Sequence, residues 1–203
     1  MSEAVGQVLG FAVGVTLSPI PIIAVVLMLA TPKGRLNGPA FLFGWAFALA
    51  AAGGLLLFAA GSADVSEGGA PSDRANVVLL LLGVLLILIA VKQWKSRPKL
   101  GEEPKLPAWM ETIDTFSPPK ALGMAFVFAV LNPKNLLLLV GAATAIAQTG
   151  VTSGEQAVAL AVFVIVGSLG PGIPVAIYFF MKDRATELLE DMRDWLAKEN
   201  ATI

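Results

Sequence analysis

The chain has 203 residues, 56% of them apolar and 14% charged, with a net charge of −1 and a mean hydropathy of +0.77. A chain this apolar is a polytopic membrane protein and not a soluble domain of that size, and its charge balance provides no basic surface for nucleic acid. Cysteine and histidine are both absent, which removes disulfides, thiolate nucleophiles, zinc sites and histidine bases. No cofactor is implied, and neither an intramembrane acid–base pair nor a metal ligand set can be assembled, so the chain does not read as an enzyme.

The first apolar stretch, residues 5–30, is long enough to cross a hydrocarbon core of about 30 Å with some tilt. No Lys or Arg precedes it and it exceeds the apolar length of a cleavable signal, so it reads as a retained span. At its centre stands Ser18-Pro19-Ile20-Pro21. The serine suits a helix cap, the first proline suits the first helical position, and the second falls where an early amide has no partner to lose. Ahead of them Gly6, Gly10, Gly14 and Ser18 recur every four residues, a stripe suited to close helix packing. A polar turn at 31–38, with Pro32, Lys33, Arg35 and Asn37, leads to a second span at 39–60. There Ala40, Gly44, Ala48 and Ala52 form another small-residue face.

After a Gly/Ser/Asp-rich loop at 62–75, residues 76–91 open a leucine-dominated third span that reads as a packing or lipid-facing helix. The longest polar interval, 92–120, places Trp109, Ile113 and Phe116 on one helical face, which fits either a short interfacial helix or a loose linker.

The fourth span, 121–148, carries the residues least suited to lipid, Asn132-Pro133-Lys134-Asn135. Pro133 should end the incoming helix near Leu131, while Asn132 is a favoured cap and proline a favoured first residue, so a second helix starts at mid-membrane. Lys134 lies in its first turn. An unpaired lysine there costs about 2.5–3.5 kcal/mol on insertion scales, and no Asp or Glu falls inside any span to offset it. The fifth span, 156–181, is interrupted by Gly167, Ser168, Gly170, Pro171, Gly172 and Pro174. Residues 183–198 then read as an amphipathic surface helix, with Ala185, Leu188, Leu189, Met192, Trp195 and Leu196 on one face.

The distribution of Lys and Arg sets the orientation. With the amino terminus outside, the intervals 31–38 and 92–120 and the tail from 182 lie inside and hold twelve of the fourteen basic residues. Arg74 falls outside and Lys134 within the bilayer. The half-helices starting at Pro19 and Pro133 then run in opposite directions from the midplane. This predicts an all-α transmembrane bundle, a single domain over 1–203. It is built as an inverted 3+3-type repeat with broken helices: repeat 1 at 1–93, a cytoplasmic linker at 94–120 and repeat 2 at 121–203.

Ser18-Pro19-Ile20-Pro21, Thr31-Pro32-Lys33-Gly34-Arg35, Phe43-Gly44-Trp45 and Asn132-Pro133-Lys134-Asn135 together resemble the actinobacterial GAP-like family. Its members are also called sulfolipid- or peptidoglycolipid-addressing proteins and are placed in the LysE superfamily of exporters. The resemblance covers nearly the whole chain. It implies an inner-membrane, multi-pass protein that helps move cell-envelope glycolipids outward; the wider superfamily exports amino acids and other small solutes. It also implies a sixth span, whereas five are present before Ile203.

The residues themselves point to substrate binding by Ser18, Pro19, Pro21, Asn132, Pro133, Lys134, Asn135 and Ser168, the groups at the three helix breaks. An anionic headgroup or small anionic solute would satisfy Lys134 and the adjoining helix amides. Asn135 suits either a polar part of the substrate or a contact between helices. Membrane lipids are the expected partners, and the small-residue faces permit a homodimer. A non-transporting accessory factor for envelope lipids and a small-solute exporter both remain compatible with these residues.

Overall fold

The computed structural model describes residues 1–61 and 108–181, together with helical positions 80, 83, 84, 87, 88 and 91. The loop at 62–75, most of the third span and of the linker, and the surface helix at 183–198 lie outside the described residues. The described residues are helical, with no strand among them.

Three helix pairs are broken where the prolines predict. Helices α1 (Ser2–Thr16) and α2 (Pro19–Leu29) meet at 54°, α4 (Pro118–Val130) and α5 (Pro133–Gln148) at 66°, and α6 (Ser153–Gly167) and α7 (Leu169–Phe180) at 56°. Between the first and second pairs runs α3 (Gly34–Gly61), whose stretch Gly34–Ala59 is long and apolar enough to cross a membrane by itself. Each bent pair passes the same test when its halves are taken together.

Helix α3 starts five residues before the predicted position and keeps Pro39 inside it. The single bond forfeited there is to the carbonyl of Arg35, an exposed residue at the helix entrance, so the proline is tolerated. At the other end of the molecule Gly150 takes a left-handed φ of 63° between α5 and α6. Thr152 and Glu155 then start α6 as a reciprocal capping box. Glu155 also pairs with the Met1 amino group at 3.2 Å, which fixes the start of α1 beside the start of α6.

The turn at 30–33 and the start of α4 share the opposite end. There a helical turn, Ala108–Glu111, and a 3-10 turn, Ile113–Thr115, fold onto the bundle. Ile113 and Phe116 are buried, Trp109 meets Phe128 edge-on at 5.3 Å, and Asn37 donates from Nδ2 to the Phe116 carbonyl at 3.1 Å. Over these residues the stretch is neither one continuous helix nor a loose linker but two short turns folded onto the bundle.

Helix α3 packs most extensively on α4 and α1 on α6, followed by α1 on α5, α3 on α5 and α2 on α7. The small-residue face of α3 is used as expected. A Cβ at Gly44 would lie 2.7 Å from the Leu122 carbonyl oxygen, and Ala48 is fully buried. The stripe on α1 departs from expectation. Gly14 packs on Leu138 and Ser18 on Asn135, but nothing stands within 4 Å of a Cβ at Gly6 or Gly10. The packing face of α1 is Ala4, Val8, Ala12 and Val15, because α6 approaches from that side. The core between these helices holds Trp45, Phe41, Phe163, Met28, Leu49, Leu139 and Ile146, all without solvent contact.

Candidate functional site

The three breaks meet at one level of the bundle, and the geometry follows from what proline does to a helix. A proline at position i has no N–H for the carbonyl at i−4, so each break releases acceptors that lipid cannot satisfy. Pro21 leaves the Leu17 carbonyl without its helical donor, and the Lys134 ammonium approaches it at 3.4 Å from the start of α5. Pro171 does the same to Gly167, whose carbonyl accepts from Trp45 Nε1 at 3.2 Å in the core. At the end of α4 the Phe128 carbonyl accepts from Asn135 Nδ2 at 3.0 Å. Thr16, the last residue of α1, brings its hydroxyl to the Val166 carbonyl near the end of α6, as well as to Ala12 of its own helix at 3.0 Å.

Asn132 caps α5 as its sequence context predicts: Oδ1 accepts from the Lys134 backbone N–H at 3.0 Å. Ser18 holds the equivalent position before α2 with an extended backbone, φ −80° and ψ 113°, yet makes no cap bond. The reason is local. Pro21 occupies the third helical position, one of the two whose N–H a capping oxygen engages, so the hydroxyl turns outward and donates to Asn135 Oδ1 at 2.6 Å. Ser18 and Asn135 are both fully buried, and the amide of Asn135 is used at both ends, by Ser18 and by Phe128. Asn135 thus joins the first break to the second.

Of the remaining candidates, Pro21 is buried, Pro19, Asn132 and Pro133 are half-buried, and Lys134 is exposed on the protein surface. Lys134 has no carboxylate within ion-pair distance among the described residues. Ser168, at the third break, has a buried Oγ with no hydrogen-bond partner. The first and third breaks touch through backbone: a Cβ at Gly170 would overlap the Thr16 carbonyl oxygen.

Sequence reasoning missed Thr16, Trp45 and the carbonyls of Leu17, Phe128 and Gly167. A signal existed for the carbonyls of Leu17 and Gly167, since each lies four residues before a proline. No periodicity announces the donors to Leu17, Gly167 and Val166, which come from segments more than 100 positions away.

Chemically, among the described residues the level of the breaks offers one cation, Lys134, beside the amino-terminal end of a 16-residue helix, with the side chains of Ser18, Asn132 and Asn135 already paired and the Ser168 hydroxyl left over. Among the described residues no cluster of acidic groups could hold a metal ion.

Comparison with known protein families matches the chain to the family described as Sap, sulfolipid-1-addressing protein, over residues 8–203. No curated protein and no solved structure matches the chain. The matched region includes all three breaks and Lys134, and the chain belongs to the sulfolipid-1-addressing protein family.

Proposed function

We propose that the protein moves an envelope lipid with an anionic headgroup outward across the inner membrane, as an exporter or flippase, and that Lys134 binds the anionic group. The observation that carries this reading is the position of Lys134. Its ammonium is an exposed cation where the three helix breaks meet, and among the described residues it is hydrogen-bonded only to a released carbonyl and has no carboxylate within ion-pair distance. A lysine at such depth persists where a ligand or function offsets its cost. The family concerns the addressing of a sulfolipid, and a sulfate is an anion of the kind such a site takes. In this reading the amino terminus is outside, the pairs α1/α2 and α4/α5 belong to opposed repeats of LysE-superfamily type, and the site lies between them.

The test is a purified, reconstituted protein and a fluorescently tagged sulfolipid, with transbilayer movement read by an impermeant quencher. Wild type should move the lipid, Lys134→Ala should not, and Lys134→Arg should retain part of the activity, limited by the guanidinium's bulk and fixed geometry. Normal movement by Lys134→Ala would refute the anion site. A second reading, an accessory factor that delivers lipids without moving them, is favoured by the full pairing of Ser18 and Asn135 inside the bundle. Absence of movement by folded wild-type protein would select it.

A further inference from the structure

We propose that the seam between α1 and α5 is an open furrow along which the headgroup of an anionic lipid travels, from Lys134 to the end of the bundle that carries Met1, while its acyl chains stay in the bilayer. This rests on the reading of Lys134 given above and adds the route. The two helices run antiparallel in a fixed register. Lys134 meets the Leu17 carbonyl, Leu138 meets Gly14, and Gly141 meets Phe11. Continuing that register brings Thr144 to the level of Gln7 and Gln148 to that of Glu3.

The outer edge of this seam is unlike a lipid-facing surface. On α5, Lys134, Gly141 and Gln148 follow at seven-residue spacing with Leu137 and Thr144 beside them; Lys134, Leu137, Thr144 and Gln148 are exposed. On α1 the facing edge is Glu3, Gln7, Gly10 and Leu17, also exposed, and Gly10 is open to beyond 4 Å where a side chain would stand. The side chains of Gln7, Thr144 and Gln148 make no hydrogen bond among the described residues. Unpaired amides and a hydroxyl on a surface that faces hydrocarbon are costly. By contrast Leu9 and Val13, on the neighbouring side of α1, are the apolar residues that such a surface calls for.

A polar headgroup satisfies all of these groups in turn. A second copy of the chain does not. Two copies inserted in the same sense are related by an axis along the membrane normal, so each residue faces its own copy at equal depth. Lys134 would then meet Lys134, and the one carboxylate of the seam, Glu3, lies about 20 Å farther along α1.

The chain has no cysteine, so single labels are direct. The full chain is placed in nanodiscs of phosphatidylcholine containing a minority of phosphatidylglycerol, the anionic probe. Nitroxides are attached at Gln7→Cys, Thr144→Cys and Leu9→Cys, and retained lipid is read by native mass spectrometry. Nitroxides at 7 and 144 should be several-fold more accessible to a water-soluble nickel chelate than the one at 9. Gly10→Phe, which fills the furrow, and Lys134→Gln should each lower retention of phosphatidylglycerol over phosphatidylcholine by roughly tenfold, equivalent to about 1.4 kcal/mol.

Equal accessibility at 7 and 9, unchanged retention in Gly10→Phe, or spin–spin broadening between copies labelled at 144 would each overturn the furrow. If Lys134→Gln stops sulfolipid movement and Gly10→Phe does not, the furrow is wrong and the exporter reading stands. If phosphatidylglycerol is retained through both residues but wild type moves no sulfolipid, the exporter reading and the route are both wrong, and the seam only holds the headgroup.

Discussion

The bond between Ser18 and Asn135 is the most direct test of the claim that the breaks are joined by side chains. Ser18→Ala removes one donor and leaves Asn135 Oδ1 without it, while Asn135 Nδ2 still reaches the Phe128 carbonyl. Hydrogen bonds between membrane helices average about 0.6 kcal/mol and reach about 1.7. Both residues are fully buried, so the upper part of that range applies. Asn135→Leu removes both bonds and orphans the Phe128 carbonyl as well, a further cost of about 1–3 kcal/mol. It should therefore destabilise more than Ser18→Ala. In the Ser18→Ala background, replacing Asn135 should cost less than in wild type, and the difference, about 1 kcal/mol, is the coupling between the two breaks. Steric trapping in micelles measures the four unfolding free energies. A coupling below about 0.3 kcal/mol, within ordinary additivity, would refute the join.

Gly170→Ala should lower the melting temperature, by a free energy of about 1–3 kcal/mol, because the new Cβ overlaps the Thr16 carbonyl, whereas Gly6→Ala meets nothing and should be neutral; equal effects of the two in thermal unfolding would refute the close approach. Glu155 is held below its ordinary value of 4.5 by the Thr152 backbone N–H, then by hydrogen bonds from the amino terminus and the Thr152 hydroxyl. A depressed carboxylate stabilises above its unfolded pKa and loses that contribution as pH falls through its folded one. The stability difference between wild type and Glu155→Gln should thus be constant near neutrality and shrink below about pH 4.5, which melting curves at several acid pH values would show. For orientation, Gly154→Cys should react with an impermeant thiol reagent in intact cells and Arg35→Cys only after lysis; the reverse would invert the topology.

The positions of the breaks were legible because proline acts on its own neighbours. Asn132-Pro133 announced a capped helix start, and the cap bond to Lys134 is present. The same logic misled at Ser18, where a second proline at the third helical position sends the hydroxyl to a different helix. The glycine stripe of α1 predicts a packing face, yet the face a helix buries depends on where its neighbours stand. Gly6 and Gly10 look outward while Ala4, Val8, Ala12 and Val15 meet α6. Thr152-x-x-Glu155 is a capping signal legible in the sequence, and the reciprocal box is present. Trp45 could be matched to Gly167 only in three dimensions, since 122 positions separate donor from acceptor.

That separation has a consequence for synthesis. Pro21 denies the Leu17 carbonyl its helical donor, but Lys134 comes 117 residues after Leu17, as does Asn135 after Ser18. At about 5–20 residues per second this is an interval of about 6–23 s. In the membrane-spanning reading proposed above, the first span waits through this interval with a broken helix and unmet polar groups, held by the insertion machinery or shielded by water. Release of the spans into lipid one at a time as finished units would leave those groups unsatisfied. On that reading the first pair is kept until the fourth span arrives, and slowing translation between residues 21 and 134 should favour degradation of the nascent chain.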